Sequence, residues 1–261
     1  MDPFLTRPQI KKAARNTMKG HFGTAFALTW LQSIGVIVLM VIIGISVAIF
    51  GYLFQTDASF HASITELFKT PKVSVTRNYG GANSTVSFGS SLISTLIATG
   101  ISFSSLEWLR LPKGEVIERP FVKAFQGFTF KYLLGVIVLY FLTAIIQSIG
   151  YFLLVIPGIL ATYGLRIVYL LYHDQGDKIG YFKLIRLSWE MMRGHKFDLF
   201  IFELSFFWWY LGIVITGGLL GLYFYPYHNL AFAGFYDNLY RHSDLIEQTQ
   251  EEVADDDFPE Y

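Results

Sequence analysis

"FGTAFALTWLQSIGVIVLMVIIGISVAIFGYLF", residues 22–54, is a run of 33 residues without a charged side chain. A helix of about 20 residues crosses the apolar core of a bilayer, so this run is long enough to span it and to tilt. The apolar core of a signal peptide is shorter, about 7–15 residues. We therefore predict that residues 22–54 form an uncleaved first transmembrane helix.

The composition of the whole chain agrees with a membrane protein, because 53% of the residues are hydrophobic and only 15% are charged. The chain has no cysteine, which excludes disulfides and thiolate metal sites. It contains no H-E-x-x-H, no G-x-S-x-G and no phosphate-binding glycine loop, and no motif pairs a nucleophile with a base. We predict an all-α, polytopic membrane protein that is not an enzyme and holds no cofactor and no metal ion.

Five further apolar segments predict five more spans. Pro157 suits the first turn of a returning helix, where its missing N–H group has no helical partner to lose. The "TGG" at 216–218 predicts a second tight turn. The segments are 86–109, 132–156, 158–173, 199–215 and 219–240.

The basic residues indicate the orientation. Of the 20 Lys and Arg residues, 16 lie in segments that six spans place on one side of the membrane, and Lys and Arg accumulate on the cytoplasmic side. We therefore predict a multi-pass protein of the cell membrane with both termini in the cytoplasm. After Arg241 the tail carries eight acidic residues and no base, which leaves the rest of the chain with a net charge of +8. We expect residues 243–261 to form a disordered, acidic cytoplasmic tail.

A weak internal repeat suggests how the spans are organised. "MKGHFGTAFAL" begins at Met18, "MRGHKFDLFIFEL" at Met192 and a weaker copy, "KAFQGFTFKYLLG", at Lys123. Each copy passes from a basic amphipathic segment through a glycine into a span, and glycine forms such elbows because it accepts left-handed dihedral angles. The three glycines are Gly20, Gly127 and Gly194.

The repeat predicts one membrane domain, residues 1–242, built from three units of an interfacial helix followed by a transmembrane hairpin. The units are approximately 8–109, 115–173 and 178–240.

The third amphipathic segment, "IGYFKLIRLSWEMMRGHK" at 179–196, has apolar residues at three- and four-residue spacing, with basic residues between them. Such a helix can lie among lipid headgroups, and its basic residues then attract anionic lipids. Packing against the protein's own helices is the alternative. The predicted apolar face is Phe182, Ile185, Trp189 and Met192, and the predicted lipid-binding residues are Lys183, Arg186, Arg193 and Lys196.

Four stretches resemble domain-of-unknown-function family 975, whose members are integral membrane proteins found mainly in Gram-positive bacteria. In that family's pattern a serine precedes an "lmkGhk"-like run, and Ser188 with residues 192–196 matches it. The resemblance implies a fold and a membrane location but no established activity. The stretches are "IKKAARNTMKGHFGTAFAL" (10–28), "IPGIL" (156–160), "LSWEMMRGHKFDLFIFELSFFWWYLG" (187–212) and "PYHNLAFAGFY" (226–236).

Several polar residues fall inside the predicted spans. Arg166 and Glu203 each lie about 10 Å from the same membrane surface at 1.5 Å per helical residue, and isolated charges in a bilayer are costly enough that they usually pair. We predict an Arg166–Glu203 ion pair, which could clamp two hairpins together or handle a substrate or ion. His228 and Asn229, two residues beyond Pro226, complete this predicted cluster. A histidine in such a place more often bonds a neighbouring helix than a ligand.

Two other polar patterns allow two interpretations each. The second span carries small residues at four-residue spacing, which permit close packing of helices or line a polar path. "YHDQGDK" at 172–178 could place His173, Asp174 and Asp177 around a divalent metal, but Gly176 favours a solvated turn at the membrane surface. The two stripes of the second span are Ser87, Ser91, Thr95, Thr99 and Ser90, Ser94, Ala98, Ser102.

Three functions remain open at this point. The first is a non-catalytic protein that acts on lipid or an amphipathic solute at the inner leaflet, or protects the envelope. The second is a transporter or channel that uses Arg166, Glu203 and His228, and this reading gains if the polar stripes of the second span face the same cavity. The third, a lipid-modifying enzyme, lacks a catalytic motif. Expected partners are anionic membrane lipids and no nucleic acid, while a homo-oligomer or a second membrane protein stays open.

Overall fold

A computed structural model of the chain describes residues 5–56, 82–112, 114–176 and 178–246, with the side chains of all of these except 31–43, 55–56 and 82–90. The described part is helical throughout and contains no strand, which confirms the all-α class. The predicted loop around 55–85 and the acidic tail therefore fall almost entirely outside the described residues.

The helices follow the predicted spans closely. A short 3₁₀ turn, Gln126–Phe128, follows the fourth helix. The helices are α1 (Arg7–Met18), α2 (Phe22–Thr56), α3 (Ala82–Arg110), α4 (Pro120–Lys123), α5 (Phe130–Leu153), α6 (Val155–Gly164), α7 (Val168–Gln175), α8 (Tyr181–Met191), α9 (Lys196–Leu204), α10 (Phe207–Ile215) and α11 (Gly221–Arg241).

Four helical stretches within the described residues are long and apolar enough to cross a membrane. They are Ser91–Arg110 of α3, Phe130–Leu153 (α5), Val155–Gln175 (α6 continued by α7) and Lys196–Ile215 (α9 continued by α10). Helix α2 is a continuous helix of 35 residues over the first predicted span. The last predicted span corresponds to α11, whose 21 residues include several polar ones. These features identify a membrane protein with several apolar helices.

The two predicted hairpin turns have different geometries. The chain turns between α5 and α6 at Leu154, whose φ and ψ are −168° and 158°, so the turn comes three residues before Pro157. Pro157 lies in the first turn of α6, as expected. The turn at 216–218 is where it was predicted, since Gly217 and Gly218 have φ angles of 59° and 100° that other residues rarely adopt.

Helix α1 packs along α11. Its residues Ile10, Ala14 and Met18 are buried, which is one face of the helix at four-residue spacing. At one end, the Leu5 N–H donates to the Asn238 side-chain oxygen at 2.9 Å, and the Asn238 amide donates to the Leu5 carbonyl at 3.2 Å. At the other end α1 reaches residues 223–227 of α11. Of the two interpretations of these amphipathic segments, packing on the protein's own helices applies to α1.

Helix α8 has two apolar sides. One packs on α6 and α7 through its buried residues Leu184, Leu187, Ser188 and Met191. Of the predicted apolar face, Phe182 is 76% exposed and Trp189 39% exposed, whereas Met192 is buried. A helix that lies among lipid headgroups needs such an exposed apolar side, so that interpretation of α8 stays a prediction. The Ser188 hydroxyl fixes the buried side by donating to the Gly164 carbonyl at 2.9 Å.

The three predicted glycine elbows are not alike. Gly20 and Gly194 have φ angles of 83° and 89°, so both use the left-handed conformation that glycine allows. Gly127 lies in the 3₁₀ turn, and a Cβ added to it would come within 2.3 Å of the Leu96 carbonyl oxygen of α3. This glycine therefore permits close packing. The amphipathic helix predicted over 115–127 is wrong in length, because only the four residues of α4 form an α-helix there.

Candidate functional site

A cavity of about 710 Å³ lies between α3, α5, α6, α7 and α11. Its lining residues on α3, α7 and α11 lie 5 to 19 residues from the ends of those helices that carry Arg110, Gln175 and Arg241. At 1.5 Å per residue, these positions are about 8 to 30 Å from those ends. The cavity therefore extends from the middle of the bundle toward the side away from these three helix ends.

The polar stripe of α3 forms one wall of this cavity. Ser91, Thr95 and Thr99 of the first stripe line it, and so do Ala98 and Ser102 of the second. Four-residue spacing places these residues on one face of the helix. The side chains of Ser87 and Ser90 lie outside the described ones, and Ser94 is exposed away from the cavity.

Another face of α3 provides close packing. A Cβ added to Gly100 would lie 2.4 Å from the Ala124 carbonyl oxygen, and the Ser104 hydroxyl donates to the Lys123 carbonyl at 2.8 Å. The close packing of α3 is thus made by residues outside the two stripes, whereas five stripe residues line the cavity.

Two of the four hydroxyls on the α3 wall have already donated their protons. Thr95 donates to the Ser91 carbonyl at 2.9 Å, and Ser102 donates to the Ala98 carbonyl at 2.8 Å. A hydroxyl has one proton and two lone pairs, so each of these oxygens can still accept a hydrogen bond. This wall therefore offers acceptors to anything that enters the cavity.

The predicted ion pair lies beside the cavity. Arg166 Nη2 is 3.5 Å from Glu203 Oε1, and the Tyr163 hydroxyl donates to Glu203 Oε2 at 3.3 Å. The structure thus brings together the two charges that were predicted to pair from their positions along the helices. Arg166 lines the cavity and its side chain is 47% exposed, whereas Glu203 lies behind it and does not line the cavity.

Both charges lie at interruptions of their helices, which the sequence did not predict. Arg166 lies in the break between α6 and α7, and Glu203 is next to the last residue of α9. Inside the breaks the backbone makes tighter bonds, such as Val168 N–H to the Leu165 carbonyl at 3.2 Å and Phe206 N–H to the Glu203 carbonyl at 2.9 Å. Interrupted helices occur in membrane proteins where the backbone is buried in protein or lines a cavity.

His228 and Asn229 of α11 also line the cavity. The His228 ring packs between the rings of Phe206 and Phe224, with centroid distances of 5.1 and 5.4 Å. Its imidazole makes no hydrogen bond to any residue that the structure describes. The expected bond to a neighbouring helix is therefore not found among these residues, and His228 keeps donor and acceptor capacity at the cavity wall.

Helix α1 brings two further cations, Lys11 and Arg15, near this region, and the sequence had not predicted either of them there. Lys11 donates to the Ser205 hydroxyl in the second helix break, and its Nζ lies 4.0 Å from the centroid of the Phe206 ring. Burial lowers the pKa of the Lys11 ammonium, and the nearby charge of Arg15 acts in the same direction. Arg15 itself lies over the Tyr227 ring. The four-residue spacing of Arg7, Lys11 and Arg15 was the available signal for a shared face.

A second polar cluster, the helix-end network, joins the ends of α3, α7 and α11. Arg110 binds Asp174 through two hydrogen bonds of 2.8 and 3.0 Å and Asp237 through one of 2.8 Å. The Tyr236 hydroxyl donates to Asp174 at 2.9 Å, and Arg241 donates to Asp237 at 2.7 Å. Three helices distant in sequence are thus held together by charged hydrogen bonds.

The same network continues to α4. His173 Nδ1 lies 3.0 Å from Asp174, and His173 Nε2 lies 3.4 Å from Glu107. Glu107 also accepts from Lys123 at 2.7 Å and from the Gln126 amide at 2.6 Å. The solvated-turn interpretation is therefore wrong for His173 and Asp174, because both are largely buried and paired. Asp177 lies outside the described residues, and no group of three or more His, Asp or Glu in the described part is arranged to hold a metal ion.

The four predicted lipid-binding residues lie on α8, in the turn after it and at the first residue of α9. Arg186 pairs with Glu190 at 2.9 Å, and Arg193 is exposed. Lys196 Nζ lies 3.2 Å above the Trp189 ring, a cation–π contact at the outside of the bundle. Lys183 lies one turn before Arg186 on the same helix. These residues are arranged along a surface and do not share the cavity with Arg166.

A larger groove of about 870 Å³ opens beside the helix-end network, between α1, the end of α3 and the end of α11. Its charged lining residues include Lys12, Lys19 and Glu115, together with the paired Asp237 and Arg241. None of the four residues of the predicted intramembrane cluster lines it. The cavity with Arg166 is therefore the better candidate site, because three residues of that cluster, Arg166, His228 and Asn229, line it.

Comparison with known proteins gives a family and no function. Neither the curated proteins nor the solved structures contain a match to this chain. A family model described as "Protein of unknown function (DUF975)" matches residues 1–243. Since that match covers nearly the whole chain, the protein belongs to the DUF975 family.

Proposed function

We propose that this DUF975 protein is a non-catalytic membrane transporter that takes a small polar solute into the cavity between α3, α5, α7 and α11. One observation carries the proposal: the polar stripe of α3 lines the same cavity as Arg166, His228 and Asn229. Ionisable groups inside a membrane domain are costly and usually mark substrate or ion pathways. A cavity of this volume is within the usual range for small-molecule sites.

The other two functions have less support. Action on lipid at the inner leaflet would place the site near the basic helix ends, but the cavity begins about 8 Å from those ends and extends away from them. A lipid-modifying enzyme would need His173 and Asp174 free to act. Both are engaged by Arg110, Tyr236 and Glu107 in the helix-end network.

The proposal includes a six-span, three-unit architecture with both termini in the cytoplasm. Two packing contacts support the units, since the segments at the second and third glycine elbows pack on the last helix of the preceding unit. Residues 124–127 pack on α3, and α8 packs on α6 and α7. Helix α1 of the first unit packs on α11 of the third. The concentration of basic residues in the three segments before the elbows supports the orientation.

Cysteine labelling tests the proposal, because the chain has no cysteine of its own. In proteoliposomes of the full chain, Thr95→Cys on the cavity wall should react with a membrane-impermeant maleimide. A transporter predicts reaction when the reagent is added to either side, since the cavity opens to each side in turn. Ile145→Cys is the matched control, because Ile145 is exposed on the outside of α5, where a span faces lipid, and should react slowly from both sides. A Thr95→Cys variant as unreactive as the control contradicts the proposal.

A further inference from the structure

We infer that the solute of this cavity carries one anionic group and several hydrogen-bond donors, as a polyol phosphate or a zwitterion does. The inference rests on the proposed function and specifies the ligand of the same site. It follows from an unequal distribution of hydrogen-bonding capacity between the walls of the cavity.

The wall with Arg166 has the capacity to bind an anion. A guanidinium has five N–H donors in a planar fork that fits a carboxylate or a phosphate. Glu203 contacts this fork through one nitrogen at 3.5 Å, and no other described carboxylate forms an ion pair with it. Arg166 also lies over the Phe232 ring, with its Cζ 5.3 Å from the ring centroid, a cation–π contact that helps to hold the guanidinium in place. The fork is thus held in place, and its donors are incompletely used.

The charge around the cavity favours a single negative group. Among the described residues that line it, Arg166 is the only Lys, Arg, Asp or Glu. Glu203 balances that charge from behind, so the empty cavity does not hold an uncompensated cation. The contact between Arg166 and Glu203 is long for a charged pair, whose usual N–O distance is about 2.7–2.9 Å. An anion in the cavity can therefore replace Glu203 as the partner of the guanidinium at small cost. Lys11 and Arg15 of α1 add positive potential from the neighbouring helix.

The α3 wall has the opposite character. The hydroxyl protons of Thr95 and Ser102 go to backbone carbonyls, so their oxygens present lone pairs to the cavity. Hydroxyl or ammonium groups of a solute would satisfy them. His228, which has no hydrogen bond to the described residues, can accept or donate through its ring nitrogens. An anion without donors would leave these groups unsatisfied and should bind more weakly.

The test measures how solutes protect a cavity cysteine. Ala98→Cys lies on the α3 wall but removes no hydrogen-bonding group. Its rate of modification by a neutral, impermeant maleimide is measured in proteoliposomes with glycerol 3-phosphate, taurine, acetate or glycerol. Glycerol 3-phosphate or taurine should slow the modification at concentrations at least tenfold lower than acetate or glycerol. If only glycerol 3-phosphate protects, the hydrogen-bond donors of the solute are hydroxyls. If only taurine protects, the donor is an ammonium group.

Two further variants assign the anion to Arg166. Arg166→Gln should abolish the protection, while Lys12→Gln, which removes a cation on an exposed side of α1, should leave it unchanged. Glu203→Gln should increase protection several-fold, because the guanidinium then has no competing carboxylate. This second variant keeps the test decisive if Arg166→Gln fails to fold.

The outcomes separate this inference from the proposed function. If Ala98→Cys does not react at all, the cavity is closed to water and both fail. If it reacts but all four solutes protect equally or none does, the inference is overturned while the water-accessible cavity stands. Unchanged protection in Glu203→Gln and a folded Arg166→Gln would also overturn it.

Discussion

The helix-end network and the cavity contain the same kinds of residue but use them differently. In the network, Asp174 accepts from Arg110, His173 and Tyr236, and its side chain is only 7% exposed. In the cavity, Arg166 has one carboxylate partner at 3.5 Å and is half exposed, and His228 has no hydrogen-bond partner within the described residues. Polar groups whose hydrogen-bonding capacity is fully used hold helices together, whereas polar groups in a cavity with capacity to spare are available to a ligand. The number of partners that its polar groups already have thus distinguishes a structural clamp from a binding site.

The largest effect on stability should come from the network. Asp174→Asn removes one of the two charges that compensate Arg110, and breaking a buried ion pair typically costs ~3–5 kcal/mol. The matched control is Asp198→Asn, whose partner Arg7 lies at the surface, where such pairs contribute ~0–1 kcal/mol. Thermal unfolding in detergent should therefore show a large fall for the first variant and a small one for the second. Equal falls would mean that the network is not a clamp.

The ion pair at the cavity should give an intermediate effect. Arg166→Gln or Glu203→Gln alone should cost ~1–3 kcal/mol, because each strands a partly buried charge. Replacing both residues should cost less than either single change, since no unpaired charge remains. The same thermal unfolding assay measures all three variants. Additive losses in the double variant would show that the two side chains do not interact.

His228→Phe should have little effect on stability and a clear effect on ligand protection. The ring already packs between Phe206 and Phe224, so a ring of similar volume should change the free energy of unfolding by less than about 1.5 kcal/mol. Protection of Ala98→Cys by glycerol 3-phosphate should weaken, because one hydrogen-bonding group is lost from the wall. A strongly destabilised variant would instead place His228 among the structural residues of the bundle.

The basic surface of α8 should give the smallest effect. Each Lys or Arg near an anionic surface contributes about 1 kcal/mol to lipid attraction. Neutralising Lys183, Arg186 and Arg193 should reduce phosphatidylglycerol retention in native mass spectrometry without lowering the thermal stability. Neutralising Lys12 and Lys19 of α1 serves as a comparison at another basic surface. Retention that is unchanged in the α8 variant would contradict a lipid role for this helix.

Local sequence patterns were sufficient to predict the apolar helices, the turn at 216–218 and the contact between Arg166 and Glu203. Helical rise and alternating direction place those two charges at one depth, because both depend only on positions along the chain. The helix-end network could not be predicted in this way, since it joins Glu107, Asp174 and Asp237 across long sequence separations. The sequence carried no signal for Glu107 or Asp237, and Asp174 was weighed only as a metal ligand or as part of a solvated turn.

The helix breaks and the buried face of α8 also could not be predicted from the sequence. Residues 165–167 and 205–206 contain no proline or glycine, so nothing local announces a break, and the packing around Arg166 and Glu203 decides it. In α8, apolar residues occur on two sides, and only the position of α6 and α7 determines which side is buried. Tertiary contacts therefore supplied the information that most concerns the site.

The most direct test of a cavity built for an anion compares two thiol reagents of opposite charge on Ala98→Cys. The anionic sulfonatoethyl and the cationic trimethylammonioethyl methanethiosulfonates differ mainly in charge, and their intrinsic rates are calibrated on a free thiol. Relative to that calibration, the anionic reagent should react at least tenfold faster than the cationic one, and Arg166→Gln should remove this preference. A preference for the cationic reagent, or the same ratio with and without Arg166, would contradict the account.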